Sequence, residues 1–130
     1  MKRKWLEVVR SLRQSKLHKI SDDALDALPW FAVLGGPGSG KSAMVKSAGA
    51  QSSIVSHSGE GPTANCDWWF FDNLVVLDTS GRYVFLPEKS EASGEWLEIL
   101  NLLKANRRRE PINGVIVTLA ADALSLMPVD

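Results

Sequence analysis

Residues 35–42 read Gly35-Gly36-Pro37-Gly38-Ser39-Gly40-Lys41-Ser42, the complete pattern G-x-x-x-x-G-K-[ST] of a phosphate-binding loop. The apolar run Trp30-Phe31-Ala32-Val33-Leu34 precedes it and predicts a short buried strand. A helix is predicted to begin directly after the loop, near Ala43. Because strand and helix flank the motif as phosphate binding requires, a glycine-rich turn without a ligand is the less favoured interpretation.

The residue types of this loop suit a bound nucleotide. Glycines let the backbone curl so that successive N–H groups converge on phosphate oxygens, beside the positive N-terminal end of the following helix. Lys41 is predicted to reach the β- and γ-phosphates, and the Ser42 hydroxyl to bind a magnesium ion that bridges them. The predicted nucleotide-binding residues are Gly35, Gly36, Pro37, Gly38, Ser39, Gly40, Lys41 and Ser42.

A second part of the site is predicted at the end of another strand. The apolar run Leu74-Val75-Val76-Leu77 ends in Asp78-Thr79-Ser80-Gly81, the D-x-x-G form that this element takes in GTPases. Asp78 is predicted to hold magnesium together with Ser42, and Gly81 to meet the γ-phosphate and so to sense the nucleotide state. An aspartate after a strand is often only a turn residue, but the phosphate-binding loop favours the functional interpretation.

The spacing of the strands predicts the fold class. Only Asp72-Asn73 separate the strand-like residues 67–71 from residues 74–77, so these two strands form an antiparallel hairpin. A helix at about 92–108 and a buried strand at 114–119 follow. The helix is predicted to place four apolar side chains on one face, namely Trp96, Ile99, Leu100 and Leu103. We therefore predict an α/β fold with a mixed sheet flanked by helices, a P-loop NTPase of the Ras-like GTPase type.

The order of these motifs resembles the IcmF/TssM family of bacterial type VI secretion systems over residues 28 to 125. Cys66-Asp67-Trp68-Trp69-Phe70 is its most specific part, because no general nucleotide chemistry demands that stretch. The other stretches are Leu28-Pro29-Trp30, the loop at 35–42, Asn65, Asp78-Thr79-Ser80-Gly81-Arg82-Tyr83, Glu95-Trp96 and Pro111-Ile112-Asn113-Gly114-Val115-Ile116-Val117.

Members of this family are large inner-membrane proteins with a cytoplasmic GTPase-like domain and a long periplasmic region. The resemblance implies a membrane-complex component that binds nucleotide at the cytoplasmic face of the bacterial inner membrane. It also implies two partners, the small membrane protein TssL and the outer-membrane lipoprotein TssJ.

Charge and hydropathy divide the chain into a basic helical segment at 1–27 and a partial P-loop NTPase domain at 28–130. Residues 1–20 carry seven Lys or Arg against one acidic residue, whereas the remainder carries eight against fourteen. Trp5, Val8, Val9 and Leu12 recur at helical spacing there, which predicts a basic amphipathic helix. This helix either lies next to a membrane anchor of the parent protein or packs on the domain. Nucleic-acid binding is not expected, because the rest of the chain is acidic.

Two further observations concern the extent of the chain. No stretch approaches the roughly 20 apolar residues of a membrane span, so this piece is expected to be soluble. The N/T-K-x-D element that specifies guanine would follow a further helix and strand, and this sequence ends at Asp130 before them. We therefore expect a domain that is incomplete at its C-terminus, and the choice between GTP and ATP stays open.

Hydrolysis is the least defined part of the predicted function. Residues 51–63 are placed like a switch loop, in which Thr63 is the candidate to close on magnesium and the γ-phosphate. Ras-like enzymes orient the attacking water with a glutamine after the D-x-x-G element, where this chain has Arg82. Arginine cannot act as a base, although it can stabilise charge on the transferring phosphate. With Lys41, Thr63 and Arg82 as catalytic candidates, we predict slow hydrolysis.

Two other functions remain open. One is a structural scaffold of the secretion complex that never cycles. The other, less favoured, is a GTPase of the signal-recognition-particle type, because Asp78-Thr79-Ser80-Gly81-Arg82 is similar to its D-T-A-G-R element.

The remaining unusual residues predict structure rather than further chemistry. Arg107-Arg108-Arg109 is predicted to close the helix, where cations complement the dipole. Most of the five tryptophans are predicted core residues, and the lone Cys66 suits a reducing cytoplasm. No metal other than magnesium is indicated.

Overall fold

A computed structural model describes residues 6, 10, 26–48, 54–56, 66–71, 73–85, 90–107 and 109–125. The elements are β1 (Trp30–Gly35), α1 (Lys41–Ala48), β2 (Ile54–Ser56), β3 (Cys66–Phe70), β4 (Val75–Thr79), a 3-10 turn (Gly81–Tyr83), α2 (Glu91–Asn106), β5 (Gly114–Thr118) and α3 (Ala121–Ser125). Within these ranges, no helix combines the length and the hydrophobicity that crossing a membrane requires. The predicted basic helix lies outside them, apart from Leu6 and Arg10, which are helical.

The strands form one mixed sheet in the order β2-β3-β4-β1-β5. β1 runs parallel to β4 and to β5, whereas β3 runs antiparallel to both β4 and β2. The predicted hairpin is confirmed, because Cys66 pairs with Thr79 and Phe70 with Val75. The chain is thus α/β with a mixed sheet and helices, as the strand spacing predicts.

β2 is a difference from prediction, since residues 51–63 were expected to form a loop. Ile54 to Ser56 instead pair with residues 68–70 along the outer edge of β3. A strand there satisfies backbone groups of β3 that an open edge would leave without partners. Thr63 lies outside the described residues, so its predicted role stays a prediction.

Each face of the sheet has its own apolar cluster. On one face, Ile99 and Leu103 of α2 pack with buried side chains of the three central strands, namely Trp30, Ala32, Cys66, Trp68, Phe70, Val75 and Leu77. Trp96 is partly buried against the same cluster, as the helical spacing predicts. The prediction for Leu100 is wrong, since this side chain is exposed. It lies about 100° around the helix from Ile99, outside the buried stripe.

The opposite face is covered by α1. Val45 of this helix packs with Val33, Trp69 and Val76. Since side chains alternate along a strand, Asp67 and Asp78 point to this same face. The acidic residue of the predicted site therefore lies on the side of the sheet that carries α1.

The prediction of a buried strand at 114–119 is wrong in its burial. A strand forms as expected, and β5 pairs with β1, but Val115 and Val117 are 56% and 66% exposed. β5 lies at the end of the strand order, while the described helices pack over the strands nearer the centre. An apolar run predicts a strand in either situation, because its pattern does not reveal what covers it.

Arg107 closes α2, as predicted for the arginine run, and it is buried rather than solvated. Its guanidinium carbon lies 5.0 Å from the ring centroid of Trp30. The group also donates hydrogen bonds to the carbonyl oxygens of Leu28 and Pro111 and to the Asn113 side chain. The Asn113 side-chain oxygen in turn accepts a hydrogen bond from the backbone N–H of Trp30 at 2.8 Å. Arg107 therefore joins the end of α2 to the beginnings of β1 and β5.

Candidate functional site

The predicted site residues that the structure describes, all except Thr63, lie at or after the carboxyl ends of β1 and β4. Both strands run in the same direction, so the segments that follow them emerge at one edge of the sheet. Residues 37–43 and 79–82 line an open cavity of about 510 Å³ there. This volume is in the range of small-molecule sites in proteins.

The loop after β1 has a tightly curled backbone. Gly38 and Gly40 have φ angles of 74° and 83°, which only glycine adopts without strain. The Ser39 N–H donates to the Gly36 carbonyl at 3.2 Å, and the Met44 N–H donates to the Gly40 carbonyl at 2.8 Å. The first bond closes the loop, and the second starts the helical hydrogen-bond pattern of α1.

Lys41 lies inside this curl with only 7% of its surface exposed. Its Nζ donates to the carbonyl oxygens of Gly35 at 2.8 Å and Gly36 at 3.0 Å. Burial lowers the pKa of Lys41, and the negative charge of Asp78 opposes that shift. The ammonium group is thus held at the base of the loop, beside the acidic residue of the site.

Asp78 is fully buried at the end of β4. Within the described part of the chain, neither of its carboxylate oxygens makes a hydrogen bond of good geometry. Burial raises the pKa of Asp78, although the approach of the Ser42 hydroxyl and the charges of Lys41 and Lys46 favour its ionised form. A carboxylate beside a hydroxyl oxygen is a pair of ligands that magnesium accepts, so Asp78 and Ser42 could hold this ion.

Gly81 brings the segment after β4 directly against the loop. A Cβ atom on Gly81 would lie 2.4 Å from the Pro37 nitrogen and 2.8 Å from the Gly36 carbonyl carbon. Only a glycine allows so close an approach of the two backbones. A shift of one segment must therefore displace the other.

The side chain of Arg82 contacts α2. Its guanidinium forms an ion pair with Glu95, and it stacks at 5.4 Å over the Tyr83 ring. The Tyr83 hydroxyl also donates to the Glu95 carboxylate, at 3.2 Å. Burial raises the pKa of Tyr83 to about 12. Arg82 thus lines the cavity while its charge is shared with a carboxylate of the neighbouring helix.

Two polar residues at the site were not predicted from the sequence. The Thr118 hydroxyl at the end of β5 lies 2.8 Å from the Ser39 hydroxyl and so ties the loop to the next strand. Asp67 stands opposite Asp78 in the pairing of β3 with β4. The hairpin spacing could have indicated that Asp67 lies near Asp78, because the spacing sets the register that places the two aspartates opposite one another.

A second cavity of about 370 Å³ opens beside α1, over the same face of the sheet. Its walls are mainly apolar, with side chains such as Phe31, Met44, Phe71 and Ile116. Its described lining residues include no cationic side chain, which a phosphate group requires.

Comparisons with known proteins agree on one group of relatives. The family model described as the IcmF-related N-terminal domain matches residues 89–127, which contain α2, β5 and α3. The type VI secretion system component TssM1 of Pseudomonas aeruginosa is 36% identical over an alignment of 133 residues, which covers 97% of this chain. The chain spans only 12% of the length of that relative. No solved structure matches the chain.

Proposed function

Since the chain belongs to the IcmF/TssM family of type VI secretion components, we propose that it is the nucleotide-binding part of such a component. The nucleotide is GTP or ATP with magnesium, and its phosphates occupy the cavity between residues 37–43 and 79–82. The observation that carries this proposal is that the Lys41 loop and residues 79–82 line one cavity, while the buried Asp78 directly precedes residues 79–82 and its charge acts on Lys41. Each alone has an ordinary structural explanation, whereas their combination is what magnesium-bound phosphates require.

The loop supports binding of the phosphates. Its positive-φ glycines curl the backbone, and the N-terminal end of α1 adds partial positive charge at the same place. Lys41 now donates to two loop carbonyls, and in the complex its ammonium turns to the β- and γ-phosphates. Phosphate oxygens are stronger acceptors than neutral carbonyls, so this exchange is favourable.

Magnesium is supported by the electrostatics of Asp78. A buried carboxylate whose oxygens lack well-formed hydrogen bonds is costly, and a divalent cation would offset that cost. Asp78 and the Ser42 hydroxyl hold the ion, which neutralises charge on the phosphates when it is bound. Gly81, packed against Pro37, is placed to transmit the presence of a γ-phosphate to the 3-10 turn and α2.

The mixed sheet favours a Ras-like GTPase type over purely parallel P-loop ATPases, since β3 is antiparallel to β4. Hydrolysis is expected to be slow. Arg82 occupies the position of the water-orienting glutamine, and its guanidinium is paired with Glu95. A turnover above about one per second by the isolated chain would contradict this expectation.

The parent protein follows from the family resemblance. We infer a protein anchored in the bacterial inner membrane, with this chain at the cytoplasmic face and with TssL and TssJ among its partners. The basic residues 1–27 are then the segment nearest to the membrane.

A non-cycling scaffold is the alternative function. It is favoured by the satisfied hydrogen bonds of Lys41 and by the Arg82 pair, because neither group is free in the nucleotide-free fold. A signal-recognition-particle type of GTPase is less favoured, since the tight β3–β4 hairpin does not belong to that strand arrangement.

Thermal unfolding with and without saturating Mg-GTP or Mg-ATP separates these functions. Nucleotide at about 100 times its Kd stabilises the fold by about 2.7 kcal/mol, or roughly 10 °C for a chain of this size. Lys41→Ala should lose this shift, whereas Lys46→Ala, an exposed lysine of the same helix, should keep most of it. If the wild type unfolds cooperatively and no nucleotide shifts its midpoint, the scaffold replaces the nucleotide-binding function.

A further inference from the structure

Asp67 belongs to the stretch Cys66–Phe70, which phosphate binding leaves unexplained. It is only 7% exposed. In the antiparallel pairing of β3 with β4 it stands directly opposite Asp78. Residues paired in this way carry their side chains on the same face, with Cβ atoms roughly 5 Å apart. The two carboxylates are therefore neighbours on the face that α1 covers.

Such a pair is unfavourable unless something compensates it. Like charges directly opposite one another destabilise a sheet, and burial strengthens the repulsion. An ionised pair at these two positions therefore requires compensating positive charge or hydrogen-bond donors from its surroundings.

The described lysines compensate the pair only in part. Lys41 donates to the carbonyls of Gly35 and Gly36 and lies at the base of the loop. Lys46 belongs to the exposed side of α1. Among the described residues, no donor makes a well-formed hydrogen bond to either oxygen of the fully buried Asp78. That carboxylate is the independent indication that a cationic ligand belongs here.

We propose that Asp67 and Asp78 form a two-carboxylate site for the divalent cation, in which Asp78 binds the ion and Asp67 holds one of its water ligands. The inference rests on the proposed function and adds a residue to it. Magnesium characteristically keeps several waters and takes one or two carboxylates together with substrate phosphates. Mutation of a group that holds such an outer ligand typically weakens metal affinity by about 10- to 100-fold.

The pair also predicts how nucleotide binding depends on the cation. Without a divalent ion, two carboxylates repel the phosphates, so the site should discriminate strongly against metal-free nucleotide. With the ion bound, the same carboxylates hold the charge that bridges the phosphates. Asp67 thus makes nucleotide binding depend on the metal. With Asp78 alone, nucleotide affinity would differ less between the presence and the absence of the ion.

The test measures nucleotide affinity of the full chain as a function of free Mg²⁺, for the wild type and for Asp67→Asn. The asparagine keeps the shape and removes the charge. We expect the variant to need about tenfold more Mg²⁺ for half-maximal affinity. In EDTA we expect the opposite order, with the variant binding the nucleotide at least as tightly as the wild type. Glu98→Gln, a charge removal on the helix over the other face of the sheet, should leave both results unchanged.

The outcomes separate this inference from the proposed function. If the wild type binds nucleotide and Asp67→Asn shows the same Mg²⁺ dependence, Asp67 is not part of the cation site. If Asp67→Asn no longer unfolds cooperatively in EDTA, Asp67 has a structural role, which also overturns the inference. If the wild type binds no nucleotide at any Mg²⁺ concentration, the proposed function itself fails.

Discussion

Gly81→Ala is the most direct perturbation of the contact between the two halves of the site. A Cβ atom at this position would lie 2.4 Å from the Pro37 nitrogen, 2.7 Å from the Pro37 Cα and 2.8 Å from the Gly36 carbonyl carbon. All three are backbone atoms, so no flexible side chain can move aside. Either the phosphate-binding loop or the turn after β4 has to shift.

The expected cost follows from this crowding. Inserting one carbon into a closely packed contact typically destabilises a protein by about 1–3 kcal/mol. Gly94→Ala is the matched control, because a Cβ there meets nothing within 4 Å and Gly94 lies inside α2. Alanine should stabilise that helix by about 0.5–1 kcal/mol. The two identical substitutions should therefore change stability in opposite directions.

Urea unfolding of the two variants and the wild type measures both effects. A second measurement compares the affinities for the nucleoside triphosphate and diphosphate in the presence of Mg²⁺. Gly81→Ala should weaken triphosphate binding more, because the displaced Gly81 N–H is the proposed γ-phosphate contact. The reasoning is refuted if Gly81→Ala is as stable as the wild type, since the backbones would then not be in contact.

Three other predictions concern single side chains. Arg107→Ala should lower the free energy of unfolding by about 3 kcal/mol, because it removes charge-assisted hydrogen bonds and a cation–π contact. Arg109→Ala, at an exposed position, should change it by less than about 0.5 kcal/mol, and equal losses in urea unfolding would contradict the buried role of Arg107. The pKa of Tyr83 rises from 10.0 to about 12 in the fold, so the folded chain keeps a proton that the unfolded chain loses, and stability should decline between those pH values. Tyr83→Phe should flatten this alkaline decline in urea unfolding, and an unchanged slope would exclude Tyr83 as its source. Burial raises the pKa of Asp78, so its ionised form costs stability at neutral pH, and Asp78→Asn should unfold at a higher temperature than the wild type in EDTA. The same variant should lose the Mg²⁺-dependent stabilisation by nucleotide, and a lower midpoint in EDTA would show that the carboxylate stabilises the metal-free fold.

Local sequence patterns were sufficient for the central elements. β1, β4 and the start of α1 follow from short apolar runs and from a motif whose glycines specify the turn between them. The antiparallel pairing of β3 followed from connection length alone, because a two-residue link cannot join parallel strands. These features depend on residues that are close in sequence, where sterics and periodicity act directly.

The predictions that were wrong concern which distant part of the chain covers or pairs with an element. Leu100 and the β5 side chains Val115 and Val117 are apolar, yet they are exposed. β2 arises because β3 offers an edge to pair with, which residues 54–56 do not reveal by themselves. Hydrophobicity predicts a tendency to be buried, whereas actual burial depends on which distant element covers the residue.

Residue types and spacing alone predicted the glycine-rich loop, the aspartate at the end of a strand, the hairpin between them and the family resemblance. The folded structure was needed to find that Gly81 lies against the loop backbone, that Asp67 faces Asp78 and that Arg107 is a buried link. Each of these contacts joins residues that are distant in the chain. Strand register and close packing set their distances, and no local pattern of residue types encodes them.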